Sequence, residues 1–115
     1  LYIETPNINA YGHEQFKEHW RGLEIPRHLV IFNWKSMIQV LRNVGFDEIT
    51  EIRIPTPYSN LAGQSRALRN RRDPYREAQS ELIDRLIALW LGLSLFSEKS
   101  KTEFITLYAR KPRAT

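Results

Sequence analysis

The segment from Asn33 to Ile54 constrains the fold most, because it has the pattern of a capped helix that leads directly into a strand. Asn33 is suited to cap the amino terminus of a helix, and Gly45 is suited to the left-handed stop at its end. The strand predicted from Phe46 to Ile54 is closed by two prolines, which cannot donate to a sheet ladder. A helix followed by a strand predicts an α/β layer. The apolar residues at helical spacing are Trp34, Met37, Ile38, Leu41 and Val44.

Strands are also predicted at both ends of the chain. Leu1 to Thr5 is short, apolar and β-branched, and it stops at Pro6-Asn7, as a strand does where it runs into a loop. Glu103 to Lys111 contains a nearly continuous apolar run, which is typical of a strand buried on both faces. The connection from Ile8 to Phe32 has the length of a functional loop, and within it we expect a helical turn from Glu14 to Trp20.

The stretch before the last strand is predicted to be helical in its second half. Residues 58 to 72 have the composition of a polar connection that is helical in part. Asp73 followed by Pro74 is a helix-start signal, because the carboxylate accepts from free amides and proline loses no bond at the first position. We therefore predict a long helix from Pro74 to Phe96, amphipathic at first and apolar nearly all round later, and then a turn from Ser97 to Thr102.

Composition sets the class of protein. With 115 residues, 42% hydrophobic and 11% aromatic, the chain is one globular domain or a piece of one. It contains no cysteine, which excludes disulfides, thiolate metal sites and cysteine nucleophiles and fits a reducing compartment. No run is long and apolar enough to span a bilayer, and no secretory signal pattern opens the chain. We therefore expect a cytoplasmic location.

The formal charge of +4 is unevenly divided. Residues 1–60 carry six Lys or Arg against seven Asp or Glu, whereas residues 61–115 carry eleven against six. Much of the surplus lies in a basic cluster, which we define as Arg66, Arg69, Arg71, Arg72 and Arg76. One hypothesis is therefore a noncatalytic module that uses this cluster and the apolar helix for assembly or for binding an anionic partner. Nucleic acid is not favoured, because the cluster lacks interleaved aromatics, and association with a membrane surface is the weaker alternative.

A set of short motifs occurs in a fixed order along the chain. Together they resemble the carboxy-terminal half of a class I S-adenosylmethionine-dependent methyltransferase. The motifs are Ile3-Glu4-Thr5-Pro6-Asn7, Trp20-Arg21-Gly22-Leu23, Pro26-Arg27-His28-Leu29, Val44-Gly45-Phe46 and the closing strand from Glu103.

The resemblance implies an α/β fold in which this chain supplies the fifth, sixth and seventh strands of a Rossmann-like sheet. The last strand then runs antiparallel between the other two. Residues 1–115 are accordingly expected to form a single partial domain, with a helical insert at 58–102 that matches nothing in the family. S-adenosylmethionine is implied as the cofactor, but the family holds it with a glycine-rich loop and an acidic residue upstream of the matched region. We therefore expect no cofactor-binding residues in this chain and no activity from it alone.

The expected chemistry is methyl transfer to a small-molecule acceptor, with this chain forming the acceptor side. His28 is the candidate catalytic residue, because an imidazole can take a proton from a hydroxyl acceptor near neutral pH, although it could equally fix the loop through a backbone carbonyl. Asn7 could bind the acceptor or cap a turn, and Trp20 could cover the acceptor or anchor the loop. Arg21 and Arg27 could bind a phosphate or carboxylate, or pair with nearby glutamates.

No metal site is predicted, because the spacing of His13 and His19 beside two glutamates matches no recognised ligand set. The expected partners are the small-molecule acceptor and either the missing amino-terminal half or a second copy of the chain. The missing half or a second copy is expected because the open edge of the first strand presents unpaired backbone.

Overall fold

The computed structural model describes residues 1–24, 27–52, 58–94 and 101–114. These residues form a mixed α/β structure with one three-stranded sheet and four α-helices. The strands are β1 (Tyr2–Pro6), β2 (Glu48–Glu51) and β3 (Phe104–Arg110). The helices are α1 (Tyr11–Phe16), α2 (Trp34–Asn43), α3 (Tyr58–Arg69) and α4 (Leu82–Ser94), with short 3-10 turns at Lys17–His19 and Arg21–Leu23.

The last strand lies in the centre of the sheet. The strand order is β1-β3-β2, and β3 is antiparallel to both neighbours. Ile3 lies opposite Leu107 in one ladder, and Glu51 lies opposite Leu107 in the other. The predicted α/β class is therefore confirmed, as is the prediction that the closing strand runs antiparallel between the other two. Beyond β1, Asn7 forms an isolated parallel bridge with Phe32, which brings the two ends of the long loop together.

Helix α2 covers one face of this sheet. Met37 and Leu41 pack against alternate residues of β3, namely Ile105, Leu107 and Ala109. The predicted start and stop of this helix are confirmed. The Asn33 carboxamide accepts from the Ser36 amide at 2.8 Å, and the Ser36 hydroxyl accepts from the Asn33 amide at 3.0 Å, which forms a capping box. Gly45 follows with φ +93°, a conformation that favours glycine.

A second core joins the long loop to α3. Its buried residues are Ala10, Phe16, Trp20, Tyr58 and Ala62. The prediction that 58–72 is helical in part is confirmed, but the helix is longer than a connection needs, because it runs from Tyr58 to Arg69. The buried face of α3 includes alanines, Gly63 and Ser65, whose small size allows close packing. Polar residues stand between these small residues in the sequence.

The predicted long helix from Pro74 is wrong at its start, because α4 begins at Leu82. The Asp73 carboxylate does accept from the Tyr75 amide, at 2.8 Å, but only a single turn follows. The chain then crosses Gly63 so closely that a side-chain carbon there would lie 2.8 Å from the Gln79 carbonyl oxygen. This backbone packing takes residues 78–81 out of helical conformation. The predicted end at Phe96 and most of the following turn lie outside the described residues.

The remaining predictions agree with the structure to within a few residues. The helical turn expected from Glu14 to Trp20 is present as α1 and the adjoining 3-10 turn, which together start at Tyr11. The strand expected from Phe46 to Ile54 is shorter, at Glu48–Glu51, although the Ile52 amide still donates to Thr106 at 2.8 Å. Ile54 and the two prolines lie outside the described residues.

Candidate functional site

A cavity of about 360 Å³ lies between the long loop, α3 and the turn that contains Tyr75. The loop contributes its two 3-10 turns, and α3 contributes Leu68. The residues that line it include Trp20, Arg21, Leu23, Glu24, Leu68 and Tyr75. Trp20 and Arg21 are two of the five site residues predicted from the sequence.

Trp20 is fixed in this wall from three sides. Only 1% of the residue is exposed, and its indole N–H donates to the Glu103 carboxylate at 3.0 Å. The His13 ring lies 5.3 Å from the indole, centroid to centroid. Gly22 lies against the indole so closely that any side-chain carbon would overlap its ring. Trp20 is therefore both a loop anchor and a wall of the cavity.

Arg21 lies at the junction of the loop, α3 and the Tyr75 turn. Its amide donates to the Ser65 hydroxyl at 2.8 Å, which ties the loop backbone to α3. Its guanidinium pairs with Glu24 at 3.1 Å, stacks on the Tyr75 ring at 4.7 Å and donates to the Tyr75 hydroxyl. The Arg21 Nε atom is buried and has no hydrogen-bond acceptor among the residues that the structure describes. An unsatisfied buried donor costs free energy.

Glu24 brings three of the predicted residues together. Besides Arg21, its carboxylate contacts His28 Nε2 at 3.1 Å and an Arg27 guanidinium nitrogen at 3.7 Å. Glu24 itself has a left-handed backbone conformation, with φ 43°, which turns the chain at the end of the second 3-10 turn. The Arg27 side chain is 75% exposed, whereas that of His28 is 27% exposed. A carboxylate that lines the cavity thus links Arg21, Arg27 and His28.

Asn7 does not line the cavity. It is completely buried, its amide nitrogen donates to the Thr102 carbonyl at 2.8 Å, and its amide oxygen accepts from the Asn9 amide at 3.1 Å. Its backbone N–H donates to the Glu103 carbonyl. These bonds join the exit of β1 to the entry of β3. Four of the five predicted residues therefore come together, and Asn7 supports the chain beside them.

Glu103 was missed by sequence reasoning. It is 1% exposed, and its two carboxylate oxygens accept from the Gly12 amide at 2.8 Å and from the Trp20 indole at 3.0 Å. Burial raises the pKa of Glu103 to about 7, because loss of hydration outweighs the two N–H bonds that favour the ionised form. The only signal in the sequence was a carboxylate at the head of a buried strand.

The basic cluster is engaged within the fold at two of its residues. Arg66 pairs with Asp84 between α3 and α4. Arg69 donates to the Gln15 carbonyl at 3.2 Å and stacks on the Phe16 ring at 4.9 Å, both in α1. Arg76 lies 4.0 Å from Asp73 within one turn. The side chains of Arg69, Arg71, Arg72 and Arg76 are exposed.

Two other kinds of site are absent from the described ranges. No three His, Asp or Glu side chains there lie close enough together to hold a metal ion. None of the helices seen there has the length and apolar character needed to cross a membrane. No protein-family model matches the chain, and neither does a curated protein or a solved structure.

Proposed function

We propose that this chain is the acceptor-side part of an S-adenosylmethionine-dependent methyltransferase, inactive alone, which binds and orients a small-molecule acceptor. One observation carries the proposal: Trp20 and Arg21 line one cavity in the loop that follows β1, and Glu24 joins Arg27 and His28 to Arg21. These four residues belong to the motifs that resemble the family. In open α/β sheets, ligands bind beyond the carboxyl ends of strands, which is where this loop emerges.

The sheet supports the same proposal. The resemblance implies that the seventh strand of a Rossmann-like sheet runs antiparallel between the fifth and the sixth. The order β1-β3-β2, with β3 antiparallel to both neighbours, agrees with that arrangement. A Rossmann-like sheet then requires further strands beyond this chain, next to the open edge of β1.

The cavity has the chemistry to hold an acceptor that carries a hydroxyl and an anionic group. Trp20 and Leu68 provide apolar walls that limit water around the reacting atoms. Arg21 lines the cavity, and a planar guanidinium suits a carboxylate or phosphate oxygen. Methyl transfer is an in-line displacement, so a fixed acceptor oxygen is the main contribution that this side of the site can make.

His28 is the proposed proton acceptor. Its Nε2 lies 3.1 Å from the Glu24 carboxylate, which can only accept, so Nε2 donates and Nδ1 is left as the basic nitrogen. A carboxylate that orients a histidine in this way is a common arrangement for general bases. We propose that Nδ1 takes the proton of the acceptor hydroxyl as the oxygen gains its methyl group.

S-adenosylmethionine would supply that methyl group as an activated sulfonium. Within the described residues, no strand is followed by a glycine-rich loop: β1 leads into Asn7-Ile8-Asn9, and β3 leads into Lys111-Pro112. The residues that hold the cofactor are therefore proposed to belong to a part of the protein outside these 115 residues. Within this chain, the proposed roles are restricted to binding, orientation and proton acceptance.

The test is transfer of an isotopically labelled methyl group by the product of the complete reading frame that encodes this chain. The acceptors should be small molecules that carry a hydroxyl together with a carboxylate or phosphate. We expect labelled product, a loss of about 10²-fold or more in kcat for His28→Ala, and a raised KM for Arg21→Ala. Arg42→Ala, on the exposed side of α2, is the matched control and should change neither constant. Absence of labelled product with every acceptor would contradict the proposal.

A second candidate function is noncatalytic assembly, and one observation favours it. Five large apolar side chains on α4 are exposed, namely Leu82, Ile83, Leu86, Leu89 and Trp90. Single exposed apolar residues are ordinary, but five on one helix suggest a contact surface. On this hypothesis, light scattering shows a dimer, or the chain binds nucleic acid or acidic liposomes in a manner that weakens steeply with salt. Binding to an anionic partner should then disappear when Arg69, Arg71 and Arg72 are replaced together. A monomer that binds neither nucleic acid nor acidic liposomes would exclude this candidate.

A further inference from the structure

Glu103 connects the central strand to the loop that forms the cavity. It immediately precedes β3, and its two oxygens accept from two different parts of the loop, the Gly12 amide in α1 and the Trp20 indole. Trp20 in turn adjoins Arg21, and both residues line the cavity. The Glu103 side chain does not line the cavity, so the mechanism proposed above gives it no role.

We propose that Glu103 is a positioning residue for this cavity: its ionised carboxylate accepts from the Trp20 indole in the wall, and protonation of the carboxyl weakens that hydrogen bond. The hold of Glu103 on the loop does not depend on any particular function of the cavity. Its consequence for binding an acceptor rests on the function proposed above.

The switch follows from the number of donors that face the carboxyl group. An ionised carboxylate has only acceptors, so each oxygen satisfies one N–H, at 2.8 Å and 3.0 Å. A protonated carboxyl carries an O–H on one oxygen, which makes that oxygen a weaker acceptor. The O–H is itself a donor and would face one of the two N–H donors. Both oxygens lie close to Gly12, where a side-chain carbon would be 2.6 Å from Oε2 and 2.9 Å from Oε1. Because hydrogen bonds to an ionised carboxylate are stronger than those to a neutral carboxyl, protonation weakens at least one of the two bonds.

Protonation of Glu103 falls in an accessible range, since its pKa is raised to about 7 by burial. Other ionisable groups also surround this site. Burial raises the pKa of Tyr58, which stays neutral in this range, and the Asp84 carboxylate is held ionised by Arg66. Lys101, which precedes β3, forms an ion pair at 2.7 Å with Glu14 of α1.

His13 is the group that could imitate the effect. Its ring lies 5.3 Å from the Trp20 indole, centroid to centroid, and its Nδ1 donates to the Ile8 carbonyl at 2.7 Å. Histidines also change charge between about pH 5 and 8. A test of Glu103 must therefore separate the two residues.

The test is a pH titration of the 115-residue chain followed by proton–nitrogen NMR. The indole signal of Trp20 is assigned by its retention in Trp34→Phe and Trp90→Phe. We expect this signal to move upfield in the proton dimension as the pH falls through about 7, because its acceptor weakens. The Arg21 amide signal should follow with the same midpoint. In Glu103→Gln, both signals should lose this titration, whereas His13→Gln should retain it.

Three results would overturn the proposal. The Trp20 indole signal could stay constant across the titration in the unmodified chain. It could titrate in Glu103→Gln but not in His13→Gln, which would assign the effect to the histidine. Finally, the indole could titrate while the Arg21 amide does not move, which would confine the change to Trp20 and remove any positioning role. None of these readouts requires methyl transfer, so failure of the proposed function would leave them unaffected.

Discussion

Arg66 and Asp84 form a two-point ion pair between α3 and the first turn of α4. The two guanidinium nitrogens lie 2.9 and 2.7 Å from the two carboxylate oxygens. Asp84 also accepts from the Glu81 amide at 2.7 Å, so one buried side chain both starts α4 and attaches it to α3. Burial opposes its ionisation, but the hydrogen bonds from Arg66 and from the Glu81 amide, with the Arg66 charge, outweigh that effect and lower the pKa of Asp84.

The first prediction concerns this pair. Replacing Asp84 by Asn should lower the free energy of unfolding by about 1.5–3 kcal/mol, because it removes the two-point partner of the Arg66 charge and leaves only the Glu81 carboxylate, at 3.5 Å. Urea unfolding followed by circular dichroism gives the value. Arg85→Ala, at the exposed neighbouring position, is the control and should change stability by less than about 0.5 kcal/mol. Equal effects of the two substitutions would show that the ion pair does not hold α4 in place.

The second prediction concerns the pH dependence of stability that Glu103 causes. Its pKa is raised from an ordinary 4.5 to about 7, so the folded chain holds a proton that the unfolded chain releases between these values. Stability should therefore fall as pH rises through this window, by up to roughly 3 kcal/mol, and change little from this group above it. In Glu103→Gln this contribution should be absent. Parallel stability curves for the two proteins from pH 4.5 to 7 would contradict the assignment.

The third prediction concerns Gly12. Alanine there would place its side-chain carbon 2.6 Å from the Glu103 carboxylate and 2.7 Å from the Trp20 indole nitrogen. We expect Gly12→Ala to cost about 1–3 kcal/mol of stability through overpacking. The same substitution in a Glu103→Ala background should cost clearly less, because the obstructing carboxylate is gone. Strictly additive costs in the double variant would mean that the steric contact with Glu103 is not the cause.

The fourth prediction concerns the attachment of the cavity loop to α3. The Ser65 hydroxyl is buried, accepts from the Arg21 amide at 2.8 Å and donates to the Leu61 carbonyl at 2.7 Å. Ser65→Ala should cost about 1–3 kcal/mol, since it leaves the Arg21 amide without an acceptor. Hydrogen exchange at that amide should also accelerate. Ser59→Ala, in the first turn of the same helix, is the matched control, and an equal effect there would count against the attachment.

The sequence predicted the elements whose signals are local. Asn33 and Gly45 defined α2 because capping and left-handed turns depend on a few adjacent residues. The resemblance implied the central position of β3, and its apolar run agrees with that position, although Tyr108 is exposed. The start of α4 was mispredicted because the local signal at Asp73-Pro74 competes with the packing of residues 78–81 over Gly63, which only the tertiary structure reveals.

For the candidate site too, the sequence predicted local features and missed contacts between residues that are far apart in the chain. Trp20, Arg21, Arg27 and His28 were predicted because they lie in one short stretch of sequence, and Glu24 gathers three of them locally. Glu103 could not be found in this way, because its hydrogen-bond partners lie 91 and 83 residues away in sequence. No spacing rule links a carboxylate to an amide and an indole across such separations.

Paired calorimetry with S-adenosylmethionine tests the central claim most directly. The titration should be carried out on the 115-residue chain and on the product of the complete reading frame that encodes it. We predict micromolar binding by the longer protein and none by this chain, because the cofactor is proposed to be held outside it. Micromolar binding by the 115-residue chain alone, or no binding by either protein, would contradict the account.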